Sequence, residues 1–305
     1  MVLYTGGGAE DVVCRRCGNG MCFKCGHEAH KPASCAEVET WQQREKDDGA
    51  TIAWLNAHTK RCPKCRIPIE KNEGCIHMTC RTSAGCGHQF CWICLEPWAG
   101  NYSCNKKPAS RAAGDEASGA DLMFYYERFM HQRDAVSAIH RLEADLSAEW
   151  ANLLAARRGD GATQDALNTT LANAREVVTR GRHAAKWAYV HALNISAASV
   201  SYRALFEDSQ GMLEHHLENL HERCVPSALR RLTTTLQRDH AAGVAAVEEW
   251  RRSVTQYAAA TDKFLGNLLR AVDGGFVMSE RDAALVAEAE RRHAAARGGA
   301  GAPPS

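Results

Sequence analysis

Apolar residues in the second half of the chain recur at helical spacing. Leu122, Tyr126 and Phe129 fall four and three residues apart, and Leu213, Leu217 and Leu220 repeat the interval. Leu229, Leu232 and Leu236 continue beyond Pro226, whose fixed φ suits a first helical turn. Val244, Val247, Trp250, Val254 and Tyr257 mark a further stripe. Stripes of this period predict helices that bury one face against their neighbours. Breaks fall at RGDGAT (158–163), near Glu207–Ser209, at Cys224–Pro226 and at Asp273–Gly275. Thr163 is a candidate cap for the helix that follows RGDGA. The pattern predicts four or five helices packed as an antiparallel bundle over 121–272.

The N-terminal third lacks this periodicity. Residues 1–35 and 58–104 are rich in cysteine, and Pro63, Pro68 and Pro97 punctuate the second stretch. Residues 36–57 between them read as a charged, partly helical connector interrupted at Gly49. Residues 105–120, NKKPASRAAGDEASGA, have linker composition. Residues 273–305 form a helical or disordered tail ending in RGGAGAPPS.

Cysteine usage changes this picture most. Thirteen of the fourteen cysteines lie between Cys14 and Cys104, and only Cys224 lies outside. The first residues, MVLYTGGGAE, have neither the basic start nor the apolar core of an export signal. A cytoplasmic or nuclear chain is expected, where clustered thiols read as metal ligands rather than disulfides. The predicted fold class is therefore small zinc-stabilised modules, mainly irregular with short β-hairpins, followed by an all-α bundle. The formal net charge of +1 argues against a nucleic-acid partner. No apolar run reaches the 18 or so residues needed to span a bilayer.

In the first cluster, Cys22-x2-Cys25-x4-His30-x4-Cys35 offers three thiolates and one imidazole, the donor set of a closed tetrahedral zinc site. Such a site holds a module too small to bury a core. His27 competes with His30 for the imidazole place. Cys14 and Cys17 form a second knuckle with only two ligands, and the chain reads as beginning inside a longer pattern.

The second cluster runs Cys62, Cys65, Cys75, Cys80, Cys86, Cys91, Cys94 and Cys104, with His77 and His88 nearby. Two readings are open. All eight thiols can serve two four-ligand zinc sites. Alternatively Cys75, on a turn after Gly74 and two residues before His77, is a spare nucleophile with an imidazole as base.

CPKC at 62–65, EKNEGCIHMTC at 70–80 and CGHQFCWIC at 86–94 resemble the catalytic module of RING-between-RING ubiquitin ligases. CRRCGNGMCFKCGHEAHKPASC at 14–35 resembles the in-between-RING module without its first cysteine pair. FYYERFMHQ (124–132), KWAYVHAL (186–193) and FEDSQGMLEHHLENL (206–220) are similar to the helical domain of the Ariadne subfamily. The resemblance implies that Cys75 accepts ubiquitin from a conjugating enzyme as a thioester and passes it to a lysine of a substrate protein. It implies His77 as general base and Gln89 as the group that orients it. It assigns one zinc to Cys62, Cys65, Cys80 and Cys86, and another to Cys91, Cys94 and Cys104. A histidine expected between Cys94 and Cys104 is missing, so His88, His131 or water is left as fourth ligand. The first RING of the family is also absent from the sequence.

In this subfamily the helices fold back over the catalytic module, which implies that 121–272 block Cys75 until a partner, such as a cullin-type ligase, displaces them. Trp54 and Leu55 are expected either to hold the donor ubiquitin or to staple the connector to the zinc fold. The competing function is a non-catalytic zinc-binding interaction module, or an inactive ligase fragment.

Overall fold

The structure, a computed structural model, describes residues 2–4, 11–14, 20–47, 59–71, 74–81, 85–99, 119–195 and 200–274. The order is three short strands, a helix, four short strands and six helices. Strands β1 (Val2–Tyr4), β2 (Asp11–Cys14) and β3 (Gly20–Cys22) form an antiparallel sheet that leads into helix α1 (Cys35–Asp47). Strands β4 (Thr59–Arg61) and β5 (Pro68–Glu70) pair as one hairpin, and β6 (His77–Thr79) with β7 (Gln89–Cys91) as another. Helices α2 (Gly119–Arg141), α3 (Glu143–Arg157), α4 (Gly161–Asn194), α5 (Val200–Arg223), α6 (Pro226–Arg238) and α7 (His240–Gly274) make the bundle.

Six bundle helices replace the four or five that the stripes predict. The extra boundaries, at Leu142 and Asp239, carry neither glycine nor proline. At Asp239 the carboxylate accepts the backbone N–H of Ala242 at 3.1 Å, so one aspartate opens α7. The break expected near Glu207–Ser209 does not occur. These polar residues lie on the less buried side of α5, where Glu207 pairs with Arg203 one turn earlier. The cap of α4 is Asp160 rather than Thr163: Asp160 Oδ1 accepts the N–H of Thr163 at 2.8 Å. Pro226 does occupy the first turn of α6.

Helix α4 is the central element. From Gly181 to Leu193 nearly every side chain is buried, including Arg182 and Lys186. Gly181 permits this: a Cβ there would come within 2.9 Å of Leu217 Cδ1, so α4 and α5 approach closely at the level of Arg182.

Among the described residues the two largest core clusters involve the bundle. One, built on Leu153, Leu167, Leu217, Leu229 and Val247, fills the end of the bundle where α3, α6 and α7 meet. The other joins Tyr126, Phe129, Trp187, Leu213 and Leu268 of the bundle to Ala33, Val38 and Trp41 of the N-terminal module. Trp41 is 1% exposed and stacks on Tyr126 at 4.4 Å. Burying one such ring is worth roughly 2–3 kcal/mol. Helix α1 is thus a docking element rather than only a connector. Lys186–Glu28 at 2.7 Å and His191–Glu37 at 3.1 Å flank the same junction. Trp54, Leu55, Gly49 and the linker at 105–118 lie outside the described residues.

Candidate active site and metal centres

Among the described residues, three Cys-x2-Cys pairs sit on copies of one backbone turn. In each, the first cysteine N–H donates to the carbonyl five residues on, and the N–H four residues on donates to the cysteine carbonyl. The pairs are Cys22–His27 with Gly26, Cys62–Ile67 with Arg66, and Cys91–Glu96 with Leu95. The fourth residue after the first cysteine has positive φ each time, at 75° for Gly26 and 63° for both Arg66 and Leu95. Such a turn aims both thiols of a Cys-x2-Cys pair toward one point.

Among the described residues two donor sets close. Cys22, Cys25, His30 and Cys35 bring their ligand atoms within 4.8 Å of one another, as do Cys62, Cys65, Cys80 and Cys86. A tetrahedron with Zn–S bonds near 2.3 Å has sulfur–sulfur edges of roughly 3.8 Å. The sulfurs of Cys22 and Cys35 are 3.7 Å apart, those of Cys62 and Cys86 3.8 Å, and those of Cys65 and Cys80 3.6 Å. His30 Nδ1–H donates to the Ala33 carbonyl at 2.7 Å, leaving Nε2 as the lone pair, 3.3 Å from Cys25 Sγ. Both sets fit zinc, and His27 lies outside the first.

The remaining expected ligands are placed less completely. Cys91 is buried and Cys94 exposed on the third turn. Cys17 and Cys104 lie outside the described residues, as does the side chain of Cys14, whose backbone belongs to β2. His131 is not available as a fourth ligand. Its Nδ1 is engaged by Lys71 and its Nε2 by Glu218 at 3.2 Å, so both ring nitrogens are used. The ring of His88 stacks on Phe90.

Cys75 is half-buried on the turn between β5 and β6. Gly74 before it has φ of 84°, and a Cβ there would stand 3.1 Å from Ala135 Cα and from His221 Cε1. The turn is pressed against α2 and α5 at a point that only glycine fits. Ile76 after it is 1% exposed, and its N–H donates to Glu218 Oε2 at 3.4 Å. A cleft of about 420 Å³ runs past the thiol, lined among others by His77, Arg81, Glu222, Ser227 and Arg231.

His77 and Gln89 come together because of strand register. His77 lies opposite Cys91 and Thr79 opposite Gln89, so His77 and Gln89 are diagonal neighbours on one face of the hairpin. Gln89 Oε1 lies 2.9 Å from His77 Nε2, and the imidazole stacks on Trp98 at 4.4 Å. The other nitrogen, Nδ1, lies 3.1 Å from Glu222 Oε1 of α5. The bond to Glu222 raises the imidazole pKa above its ordinary value, and the same bond lowers the Glu222 carboxyl. Both ring nitrogens are therefore engaged, Nδ1 by the bundle and Nε2 by the neighbouring strand.

Behind Cys75 lies a buried polar network spanning module and bundle. Arg182 Nη1 donates to Glu218 Oε1 at 2.5 Å and to Gln132 Oε1 at 2.9 Å, and Nη2 donates to His221 Nδ1 at 2.7 Å. Lys71, from the second cysteine-rich module, reaches His131 in the same network. Burial alone would raise the Glu218 carboxyl, but the Arg182 charge and the bonds from His131 and Arg182 hold it well below its usual range. Burial, then the Lys71 charge, pushes His131 down to about 3. Burial, then Arg182, does the same to His221. Both rings are neutral, each accepting at Nδ1.

The sequence reading missed Lys71, His131 as a network member, Gln132, Arg182, Glu218, His221 and Glu222. Two signals were available. Arg182 and Lys186 stand inside an otherwise small and apolar run, RHAAKWAYV. Glu214, Glu218 and His221 follow Leu213, Leu217 and Leu220 one position later, so that charged groups flank a core stripe.

Comparison with known proteins gives this arrangement a family. Residues 57–106 match the IBR domain, and residues 2–35 match the IBR domain described as a half RING-finger domain. The chain is 34% identical over 289 residues to a probable E3 ubiquitin-protein ligase, rbrA, of Dictyostelium discoideum, covering 89% of this chain and 52% of that one. It is 36% identical over 235 residues to the E3 ubiquitin-protein ligase dbl4 of Schizosaccharomyces pombe, covering 70% and 42%. Over 148 residues it is 45% identical to the E3 ubiquitin-protein ligase ari-1.1 of Caenorhabditis elegans, covering 45% and 29%. The chain spans about half the length of the curated relatives it matches along most of its own length. Both IBR matches, these E3 ubiquitin-protein ligase relatives, two zinc-fitting donor sets and a helical bundle after them bear out the resemblance to RING-between-RING ubiquitin ligases of the Ariadne type.

Proposed function

We propose that this chain is the catalytic and regulatory part of a ubiquitin ligase that carries ubiquitin on Cys75, with the helical bundle holding it inactive. The Cys75 thiolate attacks the thioester carbonyl of ubiquitin on a conjugating enzyme. The new S–C bond forms as the old one breaks, and the enzyme's thiol leaves. A lysine amine of the substrate then attacks the Cys75 thioester, giving an amide and returning the thiolate. Splitting one acyl transfer into two lowers each barrier. His77 takes the proton of the attacking amine, and Gln89 holds the ring for that step. Zinc, held by Cys22, Cys25, His30 and Cys35 and by Cys62, Cys65, Cys80 and Cys86, supplies folding energy to the two modules. Cys91 and Cys94 are assigned to a further site with Cys104.

The observation that carries the autoinhibitory reading is the seating of the Cys75 turn against α2 and α5. Gly74 meets Ala135 and His221, the Ile76 amide is bound by Glu218, and the His77 base is bound by Glu222. Thiol and base are thus restrained by the same helix. An activating partner, of which a cullin-type ligase is one candidate, would have to separate α5 from the module.

Incubation of the chain with ubiquitin-charged conjugating enzyme, followed by intact mass measurement, tests this reading. The expected product is one ubiquitin on Cys75, released by thiol reductant and absent in Cys75→Ala. An adduct that resists reductant, or that survives Cys75→Ala, overturns it.

A further inference from the structure

The catalytic module offers two positively polarised groups beside its nucleophile, and in this closed state both face an acid from the bundle. The first is the N–H of Ile76, one residue after Cys75, which donates to Glu218 Oε2 at 3.4 Å. The second is the side-chain nitrogen of Lys71, half-buried and bonded to the His131 ring that in turn binds Glu218. Glu218 is 4% exposed and its other oxygen is saturated by Arg182 and His131, so the carboxylate is fixed as an anion. A buried anion on the amide after a nucleophile occupies a place with chemical meaning. In acyl transfer that amide is a common donor to the oxygen on which negative charge develops.

We propose that the Ile76 N–H is the oxyanion donor for acyl transfer at Cys75, supported by the Lys71 charge, and that Glu218 stands in for that oxyanion in the closed state. The inference rests on the reading of Cys75 as an acyl acceptor. When sulfur attacks the thioester carbonyl, the carbonyl π pair moves onto oxygen, which takes the hydrogen bond that Glu218 vacates. Collapse returns that pair to carbon and expels the departing thiolate. The second half-reaction passes through the same oxyanion, with the amine nitrogen attacking and Cys75 sulfur leaving. The bundle therefore blocks more than approach: an acceptor oxygen from α5 fills the position that the transition state needs. Lys71 acts through the charge at this position and is a positioning residue.

The test uses the full chain and two small reagents that need neither ubiquitin nor a conjugating enzyme. N-acetylglycine thioester reacts at Cys75 through an oxyanion, whereas iodoacetamide displaces iodide at carbon and forms none. Both require the thiol to be reached, so the ratio of their rates at Cys75 cancels access. Replacing the Ile76 amide N–H by an ester oxygen through semisynthesis is expected to lower that ratio about 100-fold. Bound zinc should be unchanged. A ratio within twofold of the unmodified chain overturns the proposal. Should the ester chain fail to bind zinc, Lys71→Met and Lys71→Arg decide. Loss of the ratio in Lys71→Met with retention in Lys71→Arg supports the proposal, and an unchanged ratio in Lys71→Met overturns it. Thioester exchange that follows this pattern in a chain accepting no ubiquitin from charged enzyme would instead overturn the ligase reading alone.

Discussion

The Arg182 guanidinium and the Glu218 carboxylate meet at 2.5 Å where neither reaches water, and the free edge of that carboxylate touches the amide beside Cys75. A single ion pair therefore links the bundle to the Cys75 turn.

Breaking the pair from one side leaves an uncompensated buried charge, which costs about 3–5 kcal/mol. Glu218→Ala is expected to lower stability by this order in urea unfolding. It should also speed iodoacetamide modification of Cys75, because the turn loses its tether. The double variant Arg182→Met with Glu218→Leu should regain most of the stability while Cys75 stays reactive. Recovery of both together would separate the pair from control of the thiol.

Acid should loosen the structure through two buried histidines, against the opposite pull of Glu214, whose buried carboxyl is pushed up to about 7. His131 and His221 are held near 3 in the folded protein, against about 6.5 unfolded. Their contribution is fully present above 6.5 and is lost as pH falls from there toward 3. The slope is about 1.4 kcal/mol per pH unit for each histidine. Glu218, with its carboxyl depressed, adds a second loss only below the ordinary carboxylate range. Melting temperatures measured from pH 7.5 to 5.0 at fixed ionic strength should fall. His131→Gln and His221→Gln should each flatten the slope.

Each closed donor set should account for one zinc. Cys25→Ser and Cys65→Ser are each expected to release one metal equivalent by elemental measurement. The first should also free Trp41 from Tyr126, visible as a change in tryptophan emission, because the metal fixes the segment that carries α1.

A helix cap far from the thiol serves as a control. Asp160→Ala removes the acceptor for the Thr163 N–H and should cost about 1 kcal/mol. Iodoacetamide modification of Cys75 should proceed at the unmodified rate. A large acceleration would mean that any loss of bundle stability exposes the thiol.

Much of the fold was legible because its signals are local. Thiol spacing reflects a turn of fixed length, so the donor set from Cys22 to Cys35 could be written down directly, whereas spacing left the second cluster open and the set from Cys62 to Cys86 came from the family resemblance. The pairing of His77 with Gln89 was implied by the resemblance alone, and the register of the hairpin gives its physical reason. The bundle was legible as helices but not in number, because the boundaries at Leu142 and Asp239 use no glycine or proline. What the sequence could not reveal is long-range. Glu218 and Glu222 lie more than 140 residues from Ile76 and His77, and nothing in either local pattern names its partner. His131 looked like a spare ligand only because Lys71 and Glu218 could not be placed beside it.

The central claim is that docking of α2 and α5 on the Cys75 turn holds the thiol inactive, and one substitution tests it most directly. Ala135 is fully buried against Gly74, so Ala135→Glu inserts a charged side chain where not even a Cβ on Gly74 would fit. The decisive measurement is the rate at which Cys75 takes ubiquitin from charged conjugating enzyme in this variant and in the unmodified chain, with zinc content checked in both. The account predicts at least a tenfold faster adduct in Ala135→Glu, roughly 1.4 kcal/mol of released restraint. Equal rates, with zinc retained, would contradict it.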